Sequence, residues 1–198
     1  IVQRQPFGGW KRSAVGAGSK AGGPNYLFGL GSWEPSEGRP SNSLHLRGLE
    51  RRVTELIEAA QSVLDFEDFD LLRRSALSDE LAWAEEYALA KDVSGVGVER
   101  NVFRYRSLPV TVRISEDAGL VAGLRVIAAG LLARSAFRVS TAIDLPKGVR
   151  TLLAAREVRV VREGDQSWLQ RVRGGGLGTS RVRLIGGSAR ELAEALGG

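Results

Sequence analysis

The sequence predicts an α/β fold built on a parallel sheet, from three observations. Beyond Gly97 the apolar residues stop recurring at helical spacing and begin to alternate. From there short alternating runs are separated by helical runs, the pattern of parallel strands joined by crossover helices. Ahead of that region, residues 44–97 carry helical periodicity, and residues 34–43 are polar and rich in Pro, Gly and Ser, the clearest boundary in the chain. The expected division is therefore an N-terminal segment at 1–33, a linker at 34–43, a helical connector at 44–97 and an α/β unit at 98–198.

In residues 1–33, Tyr26-Leu27-Phe28-Gly29-Leu30 is the only strongly apolar stretch; the rest reads as loop and short strand. From Leu44 onward, Leu49, Val53, Leu56, Ile57, Ala60, Val63 and Leu64 recur at three and four. Glu50, Arg51, Arg52, Glu55 and Glu58 fill the opposite face of that amphipathic helix. The acidic run Asp65–Asp70 interrupts it. A second helix follows with Leu71 and Leu72, and a third near Asp79–Lys91 carries Leu81, Ala84, Ala88 and Leu89, with Ser78 as its N-cap. Val93–Gly97 is a turn. Val102, Phe103 and Tyr105, then Val110, Val112 and Ile114, alternate with Arg104, Arg106, Thr111 and Arg113, giving two short strands parted by Pro109.

Asp117–Ala133 is a helix striped by Leu120, Leu124, Ile127 and Leu131. Phe137, Val139 and Thr141 form a strand, Val149–Ala155 a short helix, Val158–Val161 a strand, Gln166–Val172 a short helix, Gly174–Thr179 a loop and Val182–Ile185 a further strand. Ser188-Ala189-Arg190-Glu191 is a capping box that opens the last helix, with Leu192, Ala195 and Leu196 inward. Residues 108–198 thus read as a Rossmann-like unit.

Composition narrows the chemistry. The 198 residues are 43% apolar, ordinary for a globular chain. There is no Cys, which excludes a disulfide framework, a thiolate zinc site and a cysteine nucleophile here. No apolar run approaches the roughly 20 residues of a membrane span. The 28 basic and 23 acidic residues leave a net charge of +5, which reads as a mixed-charge surface. Arginines alternate with apolar residues, as in Val158-Arg159-Val160 and Val182-Arg183-Leu184. That is an outward strand position, not the basic face with interleaved aromatics that nucleic acid requires. The chain contains no Met and opens on Ile1-Val2, from which we expect an excised piece; with no signal peptide or membrane span in view, a cytoplasmic setting is the default expectation.

Residue patterns for metal, phosphate or triad chemistry are weak. Asp65–Asp70 lacks the central Gly and terminal Glu of a calcium loop. Gly16-Ala17-Gly18-Ser19-Lys20 lacks the phosphate-loop spacing, and Gly174–Ser180 has no Lys where such a loop needs one. Gly186-Gly187-Ser188 lies between a strand and a helix, where backbone N–H groups can hold an anion, but without a full dinucleotide fingerprint. His45 precedes a charged helix and reads as a surface residue.

The stretch Gln5–Leu27 is Gly-dense and carries Lys11, Arg12 and Lys20 with no acid. Ordering such backbone is entropically costly, so it reads as the end of a domain wrapped on something already folded. Pro6-Phe7-Gly8-Gly9, followed by Lys11 and Ser13, resembles the C-terminal motif of the aldehyde dehydrogenase superfamily. Its continuation Gly18-Ser19-Lys20-Ala21-Gly22-Gly23-Pro24-Asn25-Tyr26-Leu27 is similar to the enzymes that oxidise L-glutamate γ-semialdehyde, the 1-pyrroline-5-carboxylate dehydrogenases, above all the bifunctional proline-utilisation proteins. Val93–Arg106 resembles the C-terminal region of their long members.

The resemblance implies that residues 1–33 end a catalytic domain and that the α/β unit is a degenerate aldehyde-dehydrogenase-like domain. It implies a parent that oxidises proline with FAD upstream and then glutamate semialdehyde with NAD, neither cofactor being expected on this piece. Phe7 would line the substrate tunnel, its ring burying methylenes and holding the aldehyde near attack geometry. A packing role at a subdomain junction is the alternative. Gly8 and Gly9 would let the backbone turn sharply behind it. The family's nucleophilic Cys, general-base Glu and carboxylate-anchoring loop have no match, so no catalytic residue is expected here and the thiohemiacetal chemistry cannot run on this chain alone. The expected partners are the upstream part of the same enzyme, its small-molecule substrate and further copies in a homo-oligomer. The rival reading is a non-catalytic structural or oligomerisation module.

Overall fold

The computed structural model describes residues 8, 21, 30–32, 44–92 and 95–197. The chain divides into two compact units, Ile1–Pro40 with Tyr87–Tyr105, and Ser41–Glu86 with Arg106–Gly198.

In the first unit β1 (Lys91–Asp92) pairs antiparallel with β2 (Val102–Phe103). Asp92 Oδ1 accepts from the Gly95 N–H at 3.1 Å, and Gly95 and Gly97 take positive φ; Val93 and Ser94 of the expected turn lie outside the described residues. Tyr105 packs edge-on against Tyr87 and Phe103, with ring centroids 4.8 and 5.1 Å apart.

The second unit begins with α1 (Arg51–Ala60), later than the expected start at Leu44. Gly48 at φ +93° breaks the path, and Glu50 caps the helix by accepting from the Arg52 N–H at 2.7 Å. Val53, Leu56, Ile57 and Ala60 are its buried stripe. The acidic run does not interrupt a helix but starts one. Asp65 Oδ1 caps α2 (Phe66–Ala82) through the Asp68 N–H at 2.8 Å, where first-turn acids also suit the helix dipole. No Gly or Pro lies between residues 49 and 94, so nothing breaks α2. The second and third expected helices are therefore one, and Ser78, expected as an N-cap, is an exposed residue within it. The helix closes in a π-type turn at Trp83–Tyr87.

The sheet follows the predicted alternation: β3 (Val110–Ile114), α3 (Leu120–Leu132), β4 (Phe137–Thr141), α4 (Lys147–Ala155), β5 (Val160–Arg162), α5 (Asp165–Arg173), β6 (Val182–Ile185) and α6 (Ala189–Ala195). All four strands are parallel, in the order β5-β4-β3-β6. The path runs outward from β3 to β5, then returns to place β6 on the other side of β3. Such a reversal creates a topological switch point between β3 and β6.

Period-two alternation divides the strand residues between the two faces of the sheet, each of which has its own core. Val112 and Ile114 of β3, with Val139 of β4, face α1, α2, α3 and α4, forming the larger core. Val182 and Leu184 of β6 face α5 and α6, around Trp168, Val172 and Ala195. Helix and sheet approach closely at Gly123, where a Cβ would lie 2.7 Å from Ile114 Cδ1. Ser188 Oγ caps α6 through the Glu191 N–H at 3.2 Å, as its capping box predicts. Leu196, expected inward, follows the last helical residue and is 55% exposed.

Candidate functional site at the carboxyl end of the sheet

Ligands in doubly wound sheets bind outside the carboxyl ends of the strands, at the switch point. Four loops meet at that end: 115–119 after β3, 142–146 after β4, 163–164 after β5 and 186–188 after β6.

At the centre stands Arg113. Alternation puts it on the face opposite Val112 and Ile114, and there it is fully buried. Its Nη1 donates to Ser140 Oγ at 2.7 Å and to the Glu163 carbonyl at 3.0 Å; its Nη2 donates to Asp165 Oδ1 at 2.5 Å. The guanidinium lies 5.0 Å from the centroid of the Trp168 ring, a cation–π contact that closes the lower side. The expectation of outward strand arginines fails at this position because α5 covers this face; Arg159 and Arg183 are exposed.

Two carboxylates complete the network. Glu163 accepts from Ser140 Oγ at 2.8 Å and from Arg171 Nε and Nη2 at 3.0 and 2.5 Å. The Asp165 N–H donates to Glu116 Oε1 at 3.1 Å, and the Glu116 N–H returns a bond to Asp165 Oδ2 at 3.2 Å. Burial pushes the Glu163 carboxyl up, but the bonds from Arg171 and Ser140 outweigh it, so its pKa lies below the usual carboxylate range. Burial likewise pushes Asp165 up, and Arg113 with the Glu116 N–H brings it below that range. Arg171 is raised in turn by its bond to Glu163.

Ser140 and Glu163 have the spacing of a nucleophile and its base. Ser140 is 2% exposed, however, and an ion-paired carboxylate of lowered pKa is a poor base for a hydroxyl. The arrangement clamps the ends of β3 and β4 to the start of α5.

The anion-binding turns are filled from within. Asp117 Oδ1 accepts from the Gly187 N–H at 2.7 Å. Gly186 and Gly187 both take φ +67°, and a Cβ on them would lie 2.3 Å from Asp117 Oδ1 and 2.5 Å from Ser115 Oγ respectively. These glycines serve a left-handed turn pressed against the β3 loop. The first strand–helix turn of the sheet, where a nucleotide fold carries its glycine fingerprint, reads Ser115-Glu116-Asp117-Ala118-Gly119 instead. Carboxylates on this turn repel a pyrophosphate, so these residues do not fit a dinucleotide such as NAD.

Of the residues singled out in the sequence, Phe7 and Gly9 lie outside the described residues, as do Gly16–Lys20; Gly8 is described and exposed. His45 is exposed. Asp65 is a helix cap, and Asp70 is buried against Arg73 and Arg74 at 2.9 and 2.8 Å, which lower its pKa, Arg73 most. Among the described residues no cluster of His, Cys, Asp and Glu suits a metal. Gly174–Ser180 lies at the amino end of β6, away from the switch point. Sequence reasoning missed Arg113, Asp117 and Asp165. The signal that marks them is acids in the turns directly after two strands, Glu116-Asp117 and Glu163-Gly164-Asp165, with Arg113 just before the first.

No protein-family model, curated protein or solved structure matches this chain.

Proposed function

We propose that the chain is the C-terminal portion of an NAD-dependent L-glutamate γ-semialdehyde dehydrogenase of proline catabolism, contributing Phe7 to its substrate tunnel and a non-catalytic Rossmann-like domain. The observation that carries this reading is the gapless motif Pro6–Leu27, with Phe7-Gly8-Gly9 at its head. The absence of Cys supports the assignment of the thiolate chemistry to another part of the parent. The structural-module reading rests on a separate observation, the Asp117 carboxylate seated on the Gly187 N–H where a nucleotide phosphate would bind. The two readings are compatible in one parent enzyme.

Phe7→Ala in the intact parent tests the proposal. A ring on the substrate side loses binding that matters in the transition state. The expected result is a drop in kcat/KM for semialdehyde oxidation of roughly one to two powers of ten, about 1.4–2.7 kcal/mol. NAD binding stays nearly unchanged, and proline oxidation, where that domain is present, is untouched. Normal kinetics would make Phe7 a bystander, and equal losses in both half-reactions would point to general destabilisation.

A further inference from the structure

The side of the sheet that carries α3 is left open over β6. A groove of about 680 Å³ runs there between α2, α3 and β6. Leu72, Val112, Val121, Val126, Ala129 and Ile185 line it, so its interior is apolar. That volume falls within the roughly 300–1,000 Å³ of small-molecule sites. Its wall on α3 extends over residues 121–133, about 18 Å at the helical rise.

Three charged side chains border the groove: Asp79 of α2, Arg125 of α3 and Arg183 of β6. Burial raises the Asp79 carboxyl, and the charge of Arg125 partly offsets it without a direct ion pair. Arg183 is exposed, and among the described residues no carboxylate lies within ion-pair distance of it. Register places Arg183 beside Val112, on the same face of the sheet as the groove. A cation on an edge strand also discourages addition of another strand. What remains is an apolar channel bordered by two exposed guanidinium groups, of which Arg183 lies on the open β6 side, away from Asp79.

We propose that this groove binds a medium-chain monocarboxylate, the hydrocarbon lying along α3 and the carboxylate on Arg183. Hydrocarbon burial supplies the driving force, and the Arg–carboxylate pair selects the head group. The site stands on the opposite face of the sheet from the Arg113 network and does not depend on the proposed parent activity.

Calorimetric titration of the full chain at neutral pH tests it, with decanoate below its micellar concentration as probe and decyltrimethylammonium as the opposite-charge control. Decanoate is expected to bind saturably at one site and the cation not to bind. Arg183→Gln weakens decanoate about tenfold, or 1.4 kcal/mol, while Arg183→Lys keeps most of the affinity. Ala129→Trp, with its fold checked by circular dichroism, fills the channel and abolishes binding. Absence of saturable decanoate binding, equal binding of both head groups, or an Arg183→Gln variant that binds like the wild type would each overturn the proposal.

Discussion

Arg113 is the residue on which the α5 side of the sheet depends. A fully buried guanidinium is tolerable because Ser140, the Glu163 carbonyl and Asp165 accept from its two Nη atoms and Trp168 stacks beneath it, while its Nε is buried without a partner. Removing one partner leaves the others buried without compensation. Arg113→Ala is expected to cost about 3 kcal/mol, the low end for a broken buried pair because Asp165 keeps some solvent. The double variant Arg113→Met with Asp165→Asn should cost less than the sum of the singles; urea denaturation measures both. The pH dependence has a definite sign. Asp165 and Glu163 have lowered folded pKa values, so their contribution is present above the usual carboxylate range and is lost as pH falls through the folded values. The stability gap between wild type and Arg113→Met should therefore narrow below about pH 4. A gap that widens on acidification would show that the pair does not stabilise the fold.

Between elements, the decisive contact is the approach of α4 to α1. Glu55 of α1 pairs with Arg156 beyond the end of α4, and Val149 and Leu153 are fully buried in the shared core. Gly148, at the start of α4, lets the two helices touch: a Cβ there would lie 2.7 Å from the Ala59 carbonyl oxygen. Helix propensity alone favours Ala over Gly by about 1 kcal/mol. Here the obstacle is backbone, which cannot rotate away, so the helices must separate. Gly148→Ala is expected to destabilise by about 1–2 kcal/mol despite the propensity gain. A raised urea midpoint for this variant would mean that α1 and α4 sit farther apart than the fold described above. The cap on α2 is simpler: Asp65→Ala loses the bond to the Asp68 N–H and should cost about 1 kcal/mol.

At the scale of the whole chain, the four-stranded parallel sheet has the path of a nucleotide-binding unit without its phosphate-binding turns. Titration with NAD is expected to show negligible affinity, since Glu116 and Asp117 occupy the turn where a pyrophosphate would sit. Micromolar binding would mean that Asp117 leaves the Gly187 N–H and that the turn works as a site. The same chain incubated with glutamate semialdehyde and NAD should form no NADH, because it has no thiolate to make the covalent intermediate. Turnover above background would require a nucleophile other than Cys.

Local pattern was enough to read most of the elements. A strand alternates and a helix recurs at three and four whatever it packs against, so β3, β4, β6 and α3 to α6 were legible from their own residues, as was the Ser188 capping box. Strand order was not, because β6 must choose between neighbours already laid down, and that choice is made by contacts far apart in the chain. Nor could local pattern decide that α2 runs unbroken through Ser78, since a serine caps or continues a helix according to what surrounds it. The fate of Arg113 shows the division most plainly. Alternation assigned it correctly to the face away from Val112, but whether that face meets water depends on α5, whose Asp165 lies 52 residues later. The turn at Gly186 carried glycines for the same kind of reason: they make room for Asp117, 70 residues away from the Gly187 N–H it accepts. Sequence by itself determined periodicity, the Ser188 cap and the absence of a thiol; the tertiary structure alone decided which charges are buried, because burial is a property of what arrives on top.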